Sequence, residues 1–135
     1  MQAFSGMSDT EAKEFTDRWL PAWTGNEPER LVAFYADDAF YSDPAVPGGV
    51  RGRAEILAYF RRLLARYPDW VWTNTRVRPL SGGFLNHWHA TIPDGERVVE
   101  CDGVCTVIVE DGLIRRNEVF FDRTPIMLGH DKRSG

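Results

Sequence analysis

Cysteine is scarce in this chain: there are two, Cys101 and Cys105. They stand four apart in what reads as one strand, which at about 3.3 Å per residue separates them by roughly 13 Å. That is too far for a mutual disulfide, and no second pair exists to complete a tetrahedral metal site. No metal is expected, and both read as buried, reduced thiols of a cytoplasmic protein. Long apolar runs are missing too. None approaches a membrane span, and the N-terminus lacks the basic region and apolar core of a signal peptide. There is no excess of positive charge: 16 Lys and Arg face 20 Asp and Glu, a net of -4. This speaks against an electrostatic nucleic-acid binder, and Arg61-Arg62 and Arg115-Arg116 read as solvated faces. Nucleophile elbow, phosphate loop and Rossmann glycine pattern are all absent. Covalent and nucleotide chemistry therefore have no support, and no cofactor is expected.

What is present is enough for one domain with one core: 135 residues, 43% apolar and 13% aromatic. The expected limits are a loose tail over 1–7, the domain over 8–128 and a flexible tail over 129–135. Ser8-Asp-Thr-Glu11 is a capping-box pattern that should start a first helix. Ala12, Phe15, Trp19 and Trp23 continue as a helical stripe, which Pro21 should kink or end. Asn26 is the expected cap of a second helix, with Pro28 in its first turn and its end near Tyr35. Ala39 to Asp43 reads as a strand, and Pro44 to Gly52, with two Pro and three Gly, as a loop. A third helix should run from Arg53 to Arg66 on an apolar face of Ile56, Leu57, Phe60, Leu63 and Leu64.

After Pro68 the apolar period changes from 3.6 to 2. Strands are expected over Trp70–Leu80, Phe84–Ile92, Arg97–Val109 and Leu113–Asp122, with a bulge at Gly103 and turns at Ser81-Gly-Gly83, Pro93–Glu96 and Glu110-Asp-Gly112. Three helices with an early strand, then a four-strand meander, belong to the α+β class. A strongly twisted sheet wrapped over helices encloses a cavity, and cavities take ligands.

Asp43 draws attention first. It ends a strand before Pro44, behind Tyr35 and Tyr41, and a residue before proline is pushed out of the helical region. It reads either as a turn residue or as a catalytic base, one that aromatic walls would strengthen by keeping water away. His87 and His89 share one strand face, as ordinary surface histidines or with one in a pocket. Glu100 and Asp102 share a face, opposite Cys101, Gly103 and Cys105. Glu118, Phe120 and Asp122 share one face of the last strand, and Asn117, Val119 and Phe121 the other. Cys101, Gly103 and Cys105 look like the better core face of their strand, while periodicity leaves open which face of the last strand points inward. The tryptophans read as core, or in part as the lining of a cavity for a flat, apolar ligand.

Leu31 to Pro44 (LVAFYADDAFYSDP), Gly52-Arg-Ala-Glu-Ile56, and Glu110-Asp-Gly-Leu-Ile114 leading to Phe120-Phe-Asp122 resemble the nuclear-transport-factor-2-like superfamily. Within it the chain looks closest to the branch of ketosteroid isomerases and SnoaL-like polyketide cyclases. The resemblance runs from about Glu11 to Met127. It implies a cone-shaped fold, three N-terminal helices packed on a strongly curved, mostly antiparallel sheet. It also implies a cofactor-free acid/base enzyme acting on an apolar, carbonyl-containing molecule, with dimerisation through the open sheet face. Asp43 falls on the isomerases' general base, and Asp102 near the acid that donates to the enolate oxygen. Asp122 falls on the cyclases' late-strand acid/base, which His89 or His87 would assist. The first-helix tyrosine that serves as oxyanion donor is replaced by Trp19, and a helix-three tyrosine by Phe60. The implied ligand contacts are Trp19, Tyr35, Phe60, Trp72, Trp88 and Phe121. The alternatives are a non-catalytic ligand-binding or dimerisation module, and water activation as in the related epoxide hydrolases, whose Asp-Arg-Asp set is not evident here.

Overall fold

The computed structural model describes residues 7–122. The expected tails over 1–6 and 129–135, and the expected domain end at 128, lie outside the described residues. Met7, expected in the first tail, is half-buried against the core. Helix α1, Asp9–Trp19, starts as the capping box requires. The Glu11 amide donates to the Ser8 hydroxyl (3.1 Å), and the Ser8 amide donates to the Glu11 carboxylate (2.9 Å). Pro21 stops the α-helix without reversing the chain, which tightens into a 3-10 helix over Leu20–Trp23. The stripe Ala12, Phe15, Trp19 and Trp23 is buried.

Helix α2 is short, Pro28–Val32. Proline at its first position fixes where it begins, so the cap falls on Glu27, whose side chain makes no capping bond. Asn26, expected to cap it, instead takes a left-handed conformation, φ 55°. The helix also ends earlier than expected. Tyr35 already pairs with Ile114, and strand β1 covers Tyr35–Asp43 with a register shift between Tyr35 and Phe40.

The stretch read as a loop is partly a strand, β2, Val46–Arg51, which forms a hairpin with β1. It lies at the sheet's edge, where proline and glycine are tolerated because one side of the backbone needs no partner. Gly49 is required there. Its φ is 84°, and a Cβ would come within 2.1 Å of the Phe40 ring.

Helix α3, Arg53–Arg66, then leads into the meander: β3 Val71–Leu80, β4 Gly83–Asp94, β5 Arg97–Glu110 and β6 Leu113–Phe120. The sheet order is β2-β1-β6-β5-β4-β3. The β1–β6 pair is parallel and every other pair antiparallel, so the architecture is α+β with three helices on a six-stranded, mostly antiparallel sheet. No bulge occurs at Gly103, which pairs in continuous register with Trp88. The glycine answers a demand for space: a Cβ would lie 2.4 Å from the Trp88 indole and 2.6 Å from the Phe120 carbonyl. Strand β6 stops at Phe120, so Asp122 lies beyond it.

Candidate functional site

The helices and the sheet enclose a cavity of about 110 Å³. Trp23 of the 3-10 helix, Tyr59 and Leu63 of α3, and Tyr41 and Asp43 of β1 form one part of its wall. Trp72 of β3, Asn86 and Trp88 of β4, Cys105 of β5 and Val119 of β6 form the other. All five tryptophans of the chain line it. Their rings meet largely edge to face, Trp72 on Trp88 at 4.4 Å and Trp70 on Trp72 at 4.9 Å, the packing that aromatic quadrupoles favour. Among the described residues no lysine, arginine or histidine lines the cavity.

Asp43 is 8% exposed. Tyr41 and Asp43 lie two apart on β1 and both reach the cavity, as alternation requires. The carboxylate's two oxygens do different things. Oδ1 accepts the amides of Ala45 (2.8 Å) and Val46 (3.2 Å), closing the turn into β2. Oδ2 accepts the hydroxyls of Tyr41 and Tyr59, each at 2.8 Å. Turn residue and pocket carboxylate are therefore both accurate descriptions, one oxygen each. Burial, then the negative charge of Asp43, holds the Tyr41 hydroxyl well above the ordinary tyrosine range, so it stays a neutral donor.

Tyr59 was not among the residues singled out from sequence. Its place three after Ile56 put it on the apolar face of α3, but a tyrosine in a buried stripe reads as packing, and its hydroxyl gains meaning only once β1 is laid against that helix.

Two expected ligand contacts stand behind the wall. Tyr35 is fully buried, and its hydroxyl donates to Asn117 Oδ1 at 2.8 Å. Phe60 packs against the Tyr35 ring at 5.4 Å. Neither lines the cavity, whereas Trp19, Trp72, Trp88 and Phe121 do. Burial raises the Tyr35 hydroxyl well above its usual range, with the Trp19 indole opposing the shift. Burial likewise pushes the Cys105 thiol up to about 12, which makes it inert as a nucleophile.

The candidate acids of the later strands face the other way. Cys101 and Cys105 are buried, so alternation sends Glu100 and Asp102 to the outer face of the sheet. His89 pairs across from Asp102. Its Nδ1 lies 2.8 Å from Asp102 and its Nε2 2.8 Å from Glu100. These partners, Asp102 first and Glu100 second, raise the histidine's pKa. Because the two carboxylates take opposite ring nitrogens, the three groups do not converge on a common point. His87 shares this strand face, across from Val104. Asp122 is exposed beyond β6 and, unlike Phe121, does not line the cavity. Asp102, Asp122 and His89 are thus not brought to Asp43. The cavity has no arginine either, so an Asp-Arg-Asp set does not form among the described residues lining it.

The family model of the SnoaL-like domain matches residues 16–117. Among solved structures, a hypothetical protein of ketosteroid isomerase-like fold from Catenulispora acidiphila, in complex with trimethylamine, is similar with a TM-score of 0.77 at 18% identity, over 85% of this chain and 90% of that one. An LEH-like epoxide hydrolase from M. tuberculosis is similar with a TM-score of 0.72 at 21% identity, over 90% of each chain. Identities this low speak for the fold. No match is found among curated proteins. With the family model spanning most of its length and this fold beneath it, the chain belongs to the SnoaL-like branch of the nuclear-transport-factor-2-like superfamily.

Proposed function

We propose that the chain is a cofactor-free acid/base enzyme that moves a proton at a carbon beside a carbonyl, with Asp43 as the base. One observation carries this reading: a buried carboxylate borders an aromatic cavity with two neutral tyrosine hydroxyls on the same oxygen. An ionised carboxylate has about four lone-pair sites, and here four donors fill them. When the substrate's C–H bond breaks, its electrons pass into the enolate and the proton goes to Asp43. One tyrosine hydroxyl must then release the carboxylate, and it becomes the donor that the enolate oxygen needs. Returning the proton to another carbon gives an isomerisation. Attack of the enolate on a second carbonyl gives an aldol-type cyclisation. An apolar cavity of roughly 150 Å³ holds benzene, so a cavity of about 110 Å³ suits a substrate near the size of one small ring.

The test is α-proton exchange of cyclohexanone in D2O, followed by proton NMR. General-base catalysis contributes about 10²–10⁴-fold, so Asp43→Asn should keep the fold and lose at least ~100-fold of the exchange rate. Equal rates in the two proteins would remove Asp43 from the chemistry.

A second reading, ligand binding without turnover, is favoured by the full hydrogen-bonding of Asp43 and by the similar structure from Catenulispora acidiphila, which holds a small amine. In either case we assign the protein to the cytoplasm, in keeping with its two free, buried thiols. We also assign it a homodimer through the outer sheet face. Phe120 stands 52% exposed there, and sedimentation of the intact protein is the check. No helix among the described residues is long and apolar enough to cross a membrane.

A further inference from the structure

We propose that the cavity binds a small tertiary or quaternary ammonium ion, with the indoles as its walls and the Asp43 carboxylate as its counter-charge. This rests on the reading above only in taking the cavity as the ligand site, and it does not require Asp43 to move a proton.

Three observations lead here. The first is the walls. Every tryptophan of the chain lines this one space of about 110 Å³, joined by Tyr41, Tyr59 and Phe121. In a space that small an occupant touches several rings at once. A cation within about 6 Å of an aromatic centroid is drawn to the negative face of the ring, most strongly to indole and most strongly when water is excluded. A merely apolar ligand would be served as well by leucine and valine.

The second observation is charge. Asp43 is buried, and its four partners, two hydroxyls and two amides, are all neutral. Among the described residues no cationic side chain lines the cavity. Buried charges are normally paired, and a ligand that carries the opposite charge completes the pair. A neutral ligand fills the same walls and leaves the carboxylate without one.

The third observation is what the cavity withholds. A primary ammonium brings three N–H donors, each of which needs an acceptor. The four sites of Asp43 are occupied, and Asn86 Oδ1 already accepts from Asn74. The indole N–H groups of the wall supply only further donors, and the single O–H of Tyr41 and of Tyr59 is already given to Asp43. Alkyl groups on the nitrogen remove the demand for acceptors while keeping the charge, so alkylation favours binding. Combined with the acid/base reading, the substrate is a small aminoketone whose acidic carbon lies between the ammonium and the carbonyl.

The test titrates tetramethylammonium chloride into the intact protein and follows tryptophan emission, which reports this cavity because all five indoles surround it. Sodium chloride controls for ionic strength. Methylammonium and tert-butyl alcohol serve as the less alkylated cation and the neutral analogue. The expected result is a saturable response to tetramethylammonium, with the other two binding at least tenfold more weakly. In Asp43→Asn, tetramethylammonium should weaken about tenfold and tert-butyl alcohol should not change. No saturable response, or equal binding of either comparator by the natural protein, overturns the proposal whether or not the variant folds. Deuterium exchange without tetramethylammonium binding defeats this inference alone, and binding without exchange defeats the acid/base chemistry alone.

Discussion

Two groups of acids flank the same sheet on opposite terms. On the inner face Asp43 is buried and held by four neutral donors. On the outer face Glu100 and Asp102 hold the ring of His89, and their side chains are 60% and 81% exposed. The outer contacts have good geometry and opposite charges available. Water nevertheless weakens them, since exposed ion pairs contribute little. The inner contacts involve no second charge, yet each lost bond would strand a buried donor, and stranding costs more than pairing gains. Position across the sheet, more than residue type, decides which acid matters.

The comparison can be broken most sharply at Asp43. Asp43→Ala strands the Ala45 and Val46 amides together with two buried hydroxyls. It should destabilise the fold by about 2–4 kcal/mol, read as a lower urea midpoint at unchanged slope. A shift no larger than that of an ordinary surface substitution would mean that the inner cluster is as loosely held as the outer one. Next comes Tyr59→Phe, which removes one donor and leaves Tyr41. A cost of about 1 kcal/mol and a roughly tenfold slower α-proton exchange are expected, whereas an unchanged rate would assign Tyr59 to packing alone.

The smallest effect belongs to the outer face. The folded pKa of His89 is raised, so whatever stability it contributes is complete below its unfolded value. That contribution is lost as pH rises through the folded value. NMR titration should place the His89 midpoint above that of a free histidine. His89→Gln should leave α-proton exchange unchanged, and a fall in exchange would connect the two faces.

Much of this was legible before any coordinates. The capping box and aromatic stripe set α1, the change of period set the meander, and Asp43 stood out by its place before Pro44. The losses have physical causes. A strand of period two shows which residues share a face but not which face is inward, so Asp102 reads about as well for the pocket as against it, and the surface reading favoured for His89 needs the buried Cys101 and Cys105 to settle it. Strand β2 was hidden because proline and glycine, breakers in most settings, are acceptable on an edge. Helix α2 looked longer because Phe34 and Tyr35 kept its spacing. Tyr35 instead joined β6, a partner about 80 residues away that no local pattern announces.

The division of labour at Asp43 ties chemistry to architecture. The oxygen that fastens the β1–β2 hairpin and the oxygen that meets the tyrosines share one negative charge. Whatever neutralises that charge, a transferred proton or a bound cation, also slackens the grip on the amides of Ala45 and Val46. On the proposed chemistry the edge of the sheet becomes a gauge of the cavity's occupancy, because the carboxylate cannot change state without its scaffold registering the event.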